Sequence, residues 1–496
     1  MKAEEVIGIL VLITAISSVI NHHFVRLPKS IGLTLITLVL SLLVAGLGKL
    51  GLNVDIFAEQ LLNGIGFDEH FNETFLHGLL GFLLFAASLH VNTMELAKHK
   101  TIVGLLATVS VVLSTFIIGF CTFGLTHFLE IDIPLAYCLV FGALISPTDP
   151  ISTLSILKKI NAPKSLEMKI AGESLFNDGM GIVLFVLLLE IALGSRHSWD
   201  FKETVIFFVR ECIGGLLLGL LMGWLAAKLL RSIDNYEVVI IVTLAIVTGG
   251  FTFANSVAHV SGAICMSVSG LVVGSLLQNG KMSKESIQRL DAFWELIDEI
   301  LNAMLFVLIG LEFLTLRFNL VTTLAAIGAI GITIAARWIS VMIPVGFISM
   351  FRKYSQNVVL VMTWGGLRGG ISIALALTIP LGEVRDFILA ITYGVVLFSL
   401  TIQGLTLGKL VKTLSGGYTQ PKPCPFGLEQ KLDRDQDLAL SQDLTLSGDL
   451  ALAQDLTLSQ DIDLKLEQGL GQLPLEHEFE MELEIKLEQS SNVSNA

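Results

Sequence analysis

The sequence predicts an all-α polytopic membrane protein of about 13 transmembrane helices, residues 1–415, followed by an acidic low-complexity tail, residues 416–496. Three observations carry that prediction. Hydrophobic residues make up 53% of the 496-residue chain and charged ones only 15%, where soluble domains carry roughly 25% charged residues. Apolar runs of spanning length recur from the N-terminus to about residue 410. The charge, finally, is unevenly placed. Residues 421–496 hold 5 of the 31 basic and 16 of the 44 acidic residues, a net of −11, which leaves −2 for the first 420. No basic field exists to bear nucleic acid, and that class of partner is excluded. Five scattered cysteines show no metal spacing, and the four in apolar stretches read as small buried hydrophobes.

A spanning helix needs about 20 mostly apolar residues. Spans fall near 4–21, 31–50, 75–92, 102–127, 134–156, 169–193, 204–227, 236–254, 257–278, 296–315, 320–348, 356–379 and 387–410. The first reads as a true span, because Glu4 and Glu5 stand where a secretory leader carries positive charge and no small-residue cleavage site follows. The junction at Asn255 and His259 is short for a loop between two spans. Loop charges test the count independently. With the N-terminus outside, seventeen basic residues fall on inward loops and six on outward ones, the bias expected of a cytoplasmic face. That orientation places the tail in the cytoplasm and fits a cell (cytoplasmic) membrane.

Few ionisable residues then remain at membrane depth: Asp149, Glu173, Asp178, Arg337 and Arg368. Each is costly in hydrocarbon and marks a functional position. Glu190 and Arg210 lie nearer helix ends, where snorkelling accounts for them. Asp149 sits in Ser146-Pro147-Thr148-Asp149-Pro150, where two prolines remove two backbone donors and break the fifth span. Such a break is tolerated only against protein or a watery cavity. Unwound backbone, a hydroxyl and a carboxylate together suit a cation site near the midplane. Asp149 also reads as the cap of the second half-helix, and the two roles are compatible.

A second interruption, Trp364-Gly365-Gly366-Leu367-Arg368-Gly369-Gly370, breaks the twelfth span with four glycines around one arginine. Broken spans in both halves of the chain predict an inverted repeat, spans one to six recurring as eight to thirteen, with two discontinuous helices crossing at the binding site. The densest polar cluster lies between them, Gly172-Glu173-Ser174-Leu175-Phe176-Asn177-Asp178-Gly179. Ser174 and Asp178 are four apart and share a helix face, and Glu173 and Asn177 share another turned by about 100°. Asp178 is the candidate carrier. A carboxylate in a low-dielectric cavity holds either a proton or a hard monovalent cation but not comfortably both, which couples two flows. Asn177 orients the helices without adding a titrating charge. The alternative is a polar cluster that only fixes helix packing. Glu173 needs a counter-charge, for which Arg337 and Arg368 are the available partners. One cycling acid then implies one proton exchanged for one monovalent cation.

Span count, broken helices and this cluster together resemble the monovalent cation:proton antiporter family, on the NhaP-like and eukaryotic sodium/proton-exchanger side, over roughly residues 5–412. The resemblance rests on the three motifs just given. It implies an antiporter fold, with Asp178 as the ion-carrying acid beside Asn177. The related electrogenic branch has two adjacent acids at that place, so Asn177 resembles the electroneutral branch. It further implies ligand roles for Thr148 and Ser174 alongside Asp149, and makes Arg337 the partner of Glu173, with Arg368 supporting the crossing. A homodimer and no cofactor are implied, the only metal being the transported Na+, Li+ or K+. One departure bears on selectivity: Leu83-Leu84-Phe85-Ala86 has Ala86 where several relatives carry an acid.

From Gln442 the tail repeats a six-residue unit, Gln-Asp-Leu-Thr-Leu-Ser. Its acidity and low complexity predict a solvated segment, available to a cytoplasmic regulator. A channel would present pore-lining rings instead of isolated buried acids, and a silent membrane sensor would have lost the charged cluster. No nucleotide loop or hydrolytic constellation supports an enzyme. Within the antiporter reading, sodium, lithium and potassium all stay open.

Overall fold

The computed structural model describes residues 3–49, 69–91, 93–98, 100–160, 162, 164–194, 201–230, 233, 235–278, 283–313, 319–349 and 356–414. Among them every regular element is helical. In chain order these are α1 (Ala3–Ile20), prolonged by a π-turn Asn21–Val25, α2 (Lys29–Lys49), α3 (Glu69–Leu89) and α4 (Thr101–Phe128). Then come α5 in two halves (Leu135–Ile145 and Pro150–Lys159), α6 (Lys164–Ala192), α7 (Phe201–Leu230) and α8 (Tyr236–Ala258). The series closes with α9 (Gly262–Gln278), α10 (Lys284–Glu312), α11 (Leu320–Ser349), α12 in two halves (Gln356–Gly365 and Gly370–Leu377) and α13 (Glu383–Leu414). A short helix, Thr93–Lys98, precedes α4.

These segments follow the predicted spans in order. Eight helices among the described residues are long and apolar enough to cross a membrane, nine if the bent pair in α12 counts as one span. Helices α2, α3 and α9 have shorter apolar stretches, so apolar length alone does not reproduce the count of thirteen. The tail and Cys424 lie outside the described residues. Of the other cysteines, Cys138 and Cys265 are buried and Cys212 is half-buried, while Cys121 faces outward from α4.

Two boundaries differ from the sequence reading, each for a local reason. Helix α10 begins at Lys284 instead of near residue 296. Ser283 caps it by accepting a hydrogen bond from the Ser286 N–H at 3.3 Å. One face of this polar first half is packed: Leu290 and Trp294 are fully buried, and Trp294 Nε1 donates to Thr243 Oγ1 at 3.1 Å. The short α8–α9 junction is made possible by His259, which adopts a left-handed conformation (φ 50°) directly after α8. Asn255 Oδ1 then accepts from the Gly262 N–H at 2.9 Å and closes the turn.

Lipid tails are as apolar as leucine, so helices in a bilayer gain by close packing and hydrogen bonds. Small residues supply the close approaches. Gly215, Gly219 and Gly223 lie four apart on α7, and a Cβ on each would fall 2.8, 2.6 and 3.0 Å from the carbonyl oxygens of Ser261, just before α9, and of Cys265 and Ser269 on α9. Helices α4 and α5 meet in the same way at Gly142, where a Cβ would sit 2.2 Å from Thr115 O. This contact fixes the first half of α5 against a neighbour just before its break.

Gly142→Val must therefore separate two backbones. We expect a destabilisation of roughly 1–3 kcal/mol, the usual cost of overpacking, seen as a lower thermal unfolding midpoint in detergent. Gly8→Val, where a Cβ meets open space, should leave the midpoint unchanged.

Candidate functional site

The site forms where α5 and α12 break beside one another. Ser146–Asp149 interrupt α5, and the two halves of α12 bend by 46°. The exposed backbone of each break is partnered by the other. The Asp149 N–H donates to Leu367 O at 2.6 Å, and Thr153 Oγ1 donates to Gly365 O at 2.7 Å. Glycine is needed at this approach: a Cβ on Gly369 would lie 2.8 Å from Asp149 Cβ.

Asp149 is the N-cap of the second half of α5, with Pro150 at the first helical position where its missing N–H costs nothing. Its Oδ1 accepts from the N–H groups of Ile151 (2.9 Å) and Ser152 (3.2 Å), and Oδ2 accepts from Ser152 Oγ at 2.5 Å. The first half of α5 presents the opposite end, where unpaired carbonyls carry partial negative charge. Arg368 meets them: Nη1 donates to Ser146 O and, at 2.9 Å, to Pro147 O. The Arg368 N–H donates in turn to Ser399 Oγ at 2.8 Å, from the start of a π-turn in α13.

Glu173 and Arg337 meet in a bidentate pair, Nη1 to Oε1 at 2.7 Å and Nη2 to Oε2 at 2.8 Å, with side chains 1% and 5% exposed. Between the two arginines the sequence left open, the fold brings Arg337 to Glu173 and sends Arg368 to the α5 carbonyls. Gly366 leaves room for the pair, since a Cβ there would lie 2.6 Å from Arg337 Nε. Asn177 ties α6 to the α5 break, its Nδ2 reaching Glu173 Oε1 and Thr148 Oγ1 at 3.2 Å each and Ser146 O at 3.4 Å. Thr148 Oγ1 and Ser174 Oγ share a hydrogen bond of 2.9 Å.

Asp178 is different. It is buried, yet its Oδ1 has no hydrogen-bond partner. It lines a cavity of about 40 Å³ together with Thr148, Asp149, Asn302 and Ser372. A single water needs about 10–15 Å³ of such space, so the cavity has room for a partly dehydrated monovalent ion. Among the described residues no group of three or more His, Cys, Asp or Glu could hold a resident metal.

The sequence reading passed over Asn302 and Ser372. Asn302 donates to Asp298 O and Oδ1 at 2.8 and 2.9 Å. An aspartate and an asparagine four apart at the start of an apolar run were the available signal. Ala86 is fully buried, its carbonyl lies 2.8 Å from His90 Nδ1, and Leu83, Leu84 and Ala87 make an apolar α3 wall to the cavity. Asn302 provides a polar group on the α10 side.

A helical membrane bundle in which two broken helices meet over a buried acid defines a secondary transporter. Residues 9–413 match the transmembrane family of sodium/hydrogen exchangers, and the chain belongs to that family. It is 42% identical over 418 residues to the Na(+)/H(+) antiporter NhaP of Pseudomonas aeruginosa, covering 83% of this chain and 97% of that protein. The Na(+)/H(+) antiporter NhaH of Halobacillus dabanensis is 34% identical, covering 82% and 96%. The solved structure of the sodium proton antiporter MjNhaP1 from Methanocaldococcus jannaschii shares the fold, with a TM-score of 0.66 at 20% identity over 84% of this chain and all of that one.

Removing one partner of a buried ion pair strands the other charge, at a cost of about 3–5 kcal/mol. Glu173→Gln should accordingly lower the thermal midpoint strongly, and Glu173→Gln with Arg337→Gln should recover part of the loss. Unchanged stability in the single variant would remove the pair from the structural frame.

Proposed function

We propose that the protein is a secondary active antiporter that exchanges a sodium ion for a proton, with Asp178 as the alternating carrier. The observation that carries this reading is the uncommitted carboxylate. Glu173 is held by Arg337, Asp149 already accepts three hydrogen bonds, and Asn177 does not titrate. Of the three carboxylates in the cluster, Asp178 is the one that keeps a buried oxygen without a partner, and it faces the cavity. Support for sodium comes from the relatives, which are named Na(+)/H(+) antiporters.

Exchange follows from the cost of moving a bare charge. A charged Asp178 resists passage through a low-dielectric interior, and either a proton or Na+ relieves it. The carrier therefore moves loaded in both directions, and one ion must leave before the other binds. Thr148, Ser174 and Asp149 stand beside it as further oxygen ligands, which suit a hard cation. With one acid cycling, the exchange is electroneutral. Lithium and potassium differ from sodium in size and dehydration cost, and the same cavity discriminates among them. The protein works as a homodimer in the cell membrane, with the N-terminus outside and the acidic tail in the cytoplasm, where it is available to a regulator. No cofactor takes part.

In sealed liposomes with an internal pH reporter, sodium should collapse an imposed proton gradient regardless of a clamped membrane potential. Asp178→Asn should abolish that response in folded, inserted protein. Retained sodium-driven proton movement in this variant would remove Asp178 from the carrier role. Collapse that itself generates a potential would overturn the one-to-one exchange.

A further inference from the structure

Five polar side chains line the cavity in front of Asp178: Thr148, Asp149, Asp178 itself, Asn302 and Ser372. The first two are engaged in the crossing. Thr148 Oγ1 is shared with Ser174 Oγ and Asn177 Nδ2, and Asp149 accepts three hydrogen bonds. Besides Asp178, the uncommitted oxygens belong to Ser372 and Asn302.

Ser372 stands in the first turn of the second half of α12, and its Oγ is buried with no hydrogen-bond partner. Leaving a buried hydroxyl unpaired costs roughly 1–3 kcal/mol, so the position calls for an explanation. Asn302 reaches the cavity from α10. Its Nδ2 donates to Asp298 O at 2.8 Å and to Asp298 Oδ1 at 2.9 Å. An amide nitrogen carries two N–H groups, and both are used here, so the amide cannot turn over. Its carbonyl oxygen accepts no hydrogen bond among the described residues and is the end left to the cavity. The α3 wall, Leu83, Leu84 and Ala87, has no side-chain oxygen to offer.

We propose that Asn302 Oδ1 and Ser372 Oγ are ligands of the transported cation, and that Asp298 is the positioning residue that sets the Asn302 amide. The inference rests on the reading of Asp178 as carrier and extends its coordination to α10 and α12. An ion entering a space of about 40 Å³ sheds most of its water, and protein oxygens must replace that shell. Carbonyl and hydroxyl oxygens suit a hard cation. Both groups are neutral. They therefore add ligands without adding a titrating charge, and one proton still exchanges for one ion.

Sodium binding by the full chain in detergent, read from the sodium-dependent rise in thermal midpoint, tests this together with exchange in liposomes. Ser372→Ala and Asn302→Ala should each raise the half-saturating sodium concentration roughly tenfold, the scale of one contact to a charged group. The maximal exchange rate should be retained. Ser372→Cys, which keeps the size but offers a soft sulfur, should weaken sodium as Ser372→Ala does. Asp298→Leu should match Asn302→Ala, while Asp298→Asn, whose side-chain oxygen still accepts from Asn302, should restore sodium affinity. Ser114→Ala removes another buried unpartnered hydroxyl, on α4, and should change nothing. The midpoint without sodium establishes that each variant is folded. Wild-type half-saturation in either alanine variant, with Asp178→Asn inactive, would overturn the proposal and leave the carrier standing. So would a lower maximal rate at unchanged half-saturation, which would make the two residues structural. Sodium-dependent stabilisation and exchange in Asp178→Asn would overturn both readings.

Discussion

Backbone polar groups cannot be left unpaired in hydrocarbon, and this protein breaks two helices side by side within the bilayer. The rest of the architecture answers that constraint. The Asp149 N–H and the Thr153 hydroxyl are partnered by carbonyls of the α12 break, and Arg368 from that break covers the carbonyls left by α5. Neither interruption would be tolerable alone. Prolines end the helix on one side, and glycines on the other let the second backbone come close enough to pair.

The same crossing sorts the buried charges. Arg368 is used on half-helix carbonyls, Asp149 on amide donors, and Glu173 with Arg337 on each other. Each is thereby committed to fixed neighbours. Asp178 has an oxygen with no such neighbour and a small cavity in front of it. A group can alternate between proton and cation only if the protein has not already satisfied it. The frame thus does two things: it rigidifies four charged positions and leaves one adaptable.

Away from the crossing, helix contacts are made by small residues, and the outward faces are left to lipid. Helix α7 shows the division clearly. Its glycines meet α9, while Leu217, Leu221 and Trp224 are more than half exposed.

Much of this was legible in the sequence, because hydrocarbon imposes one-dimensional rules. Span length, loop charge and the rarity of buried ionisable residues are properties of local composition, and they marked the breaks at Ser146–Pro150 and Trp364–Gly370 and the cluster Glu173–Asp178. The α10 start was missed because apolar length locates a span and not the polar helix that leads into it. Asn302 was missed because an amide in an apolar run gains meaning only from the cavity it faces. The choice of Arg337 over Arg368 for Glu173 likewise depended on space. Either arginine balances the charge on paper; the family resemblance pointed to Arg337, and the packed crossing, where Arg368 is needed by the α5 carbonyls, gives the physical reason. The sequence by itself determined which charges lie at depth, since their cost is set by the solvent. Which of them is left uncommitted is a matter of three-dimensional hydrogen bonding, and that was decided by the tertiary structure alone.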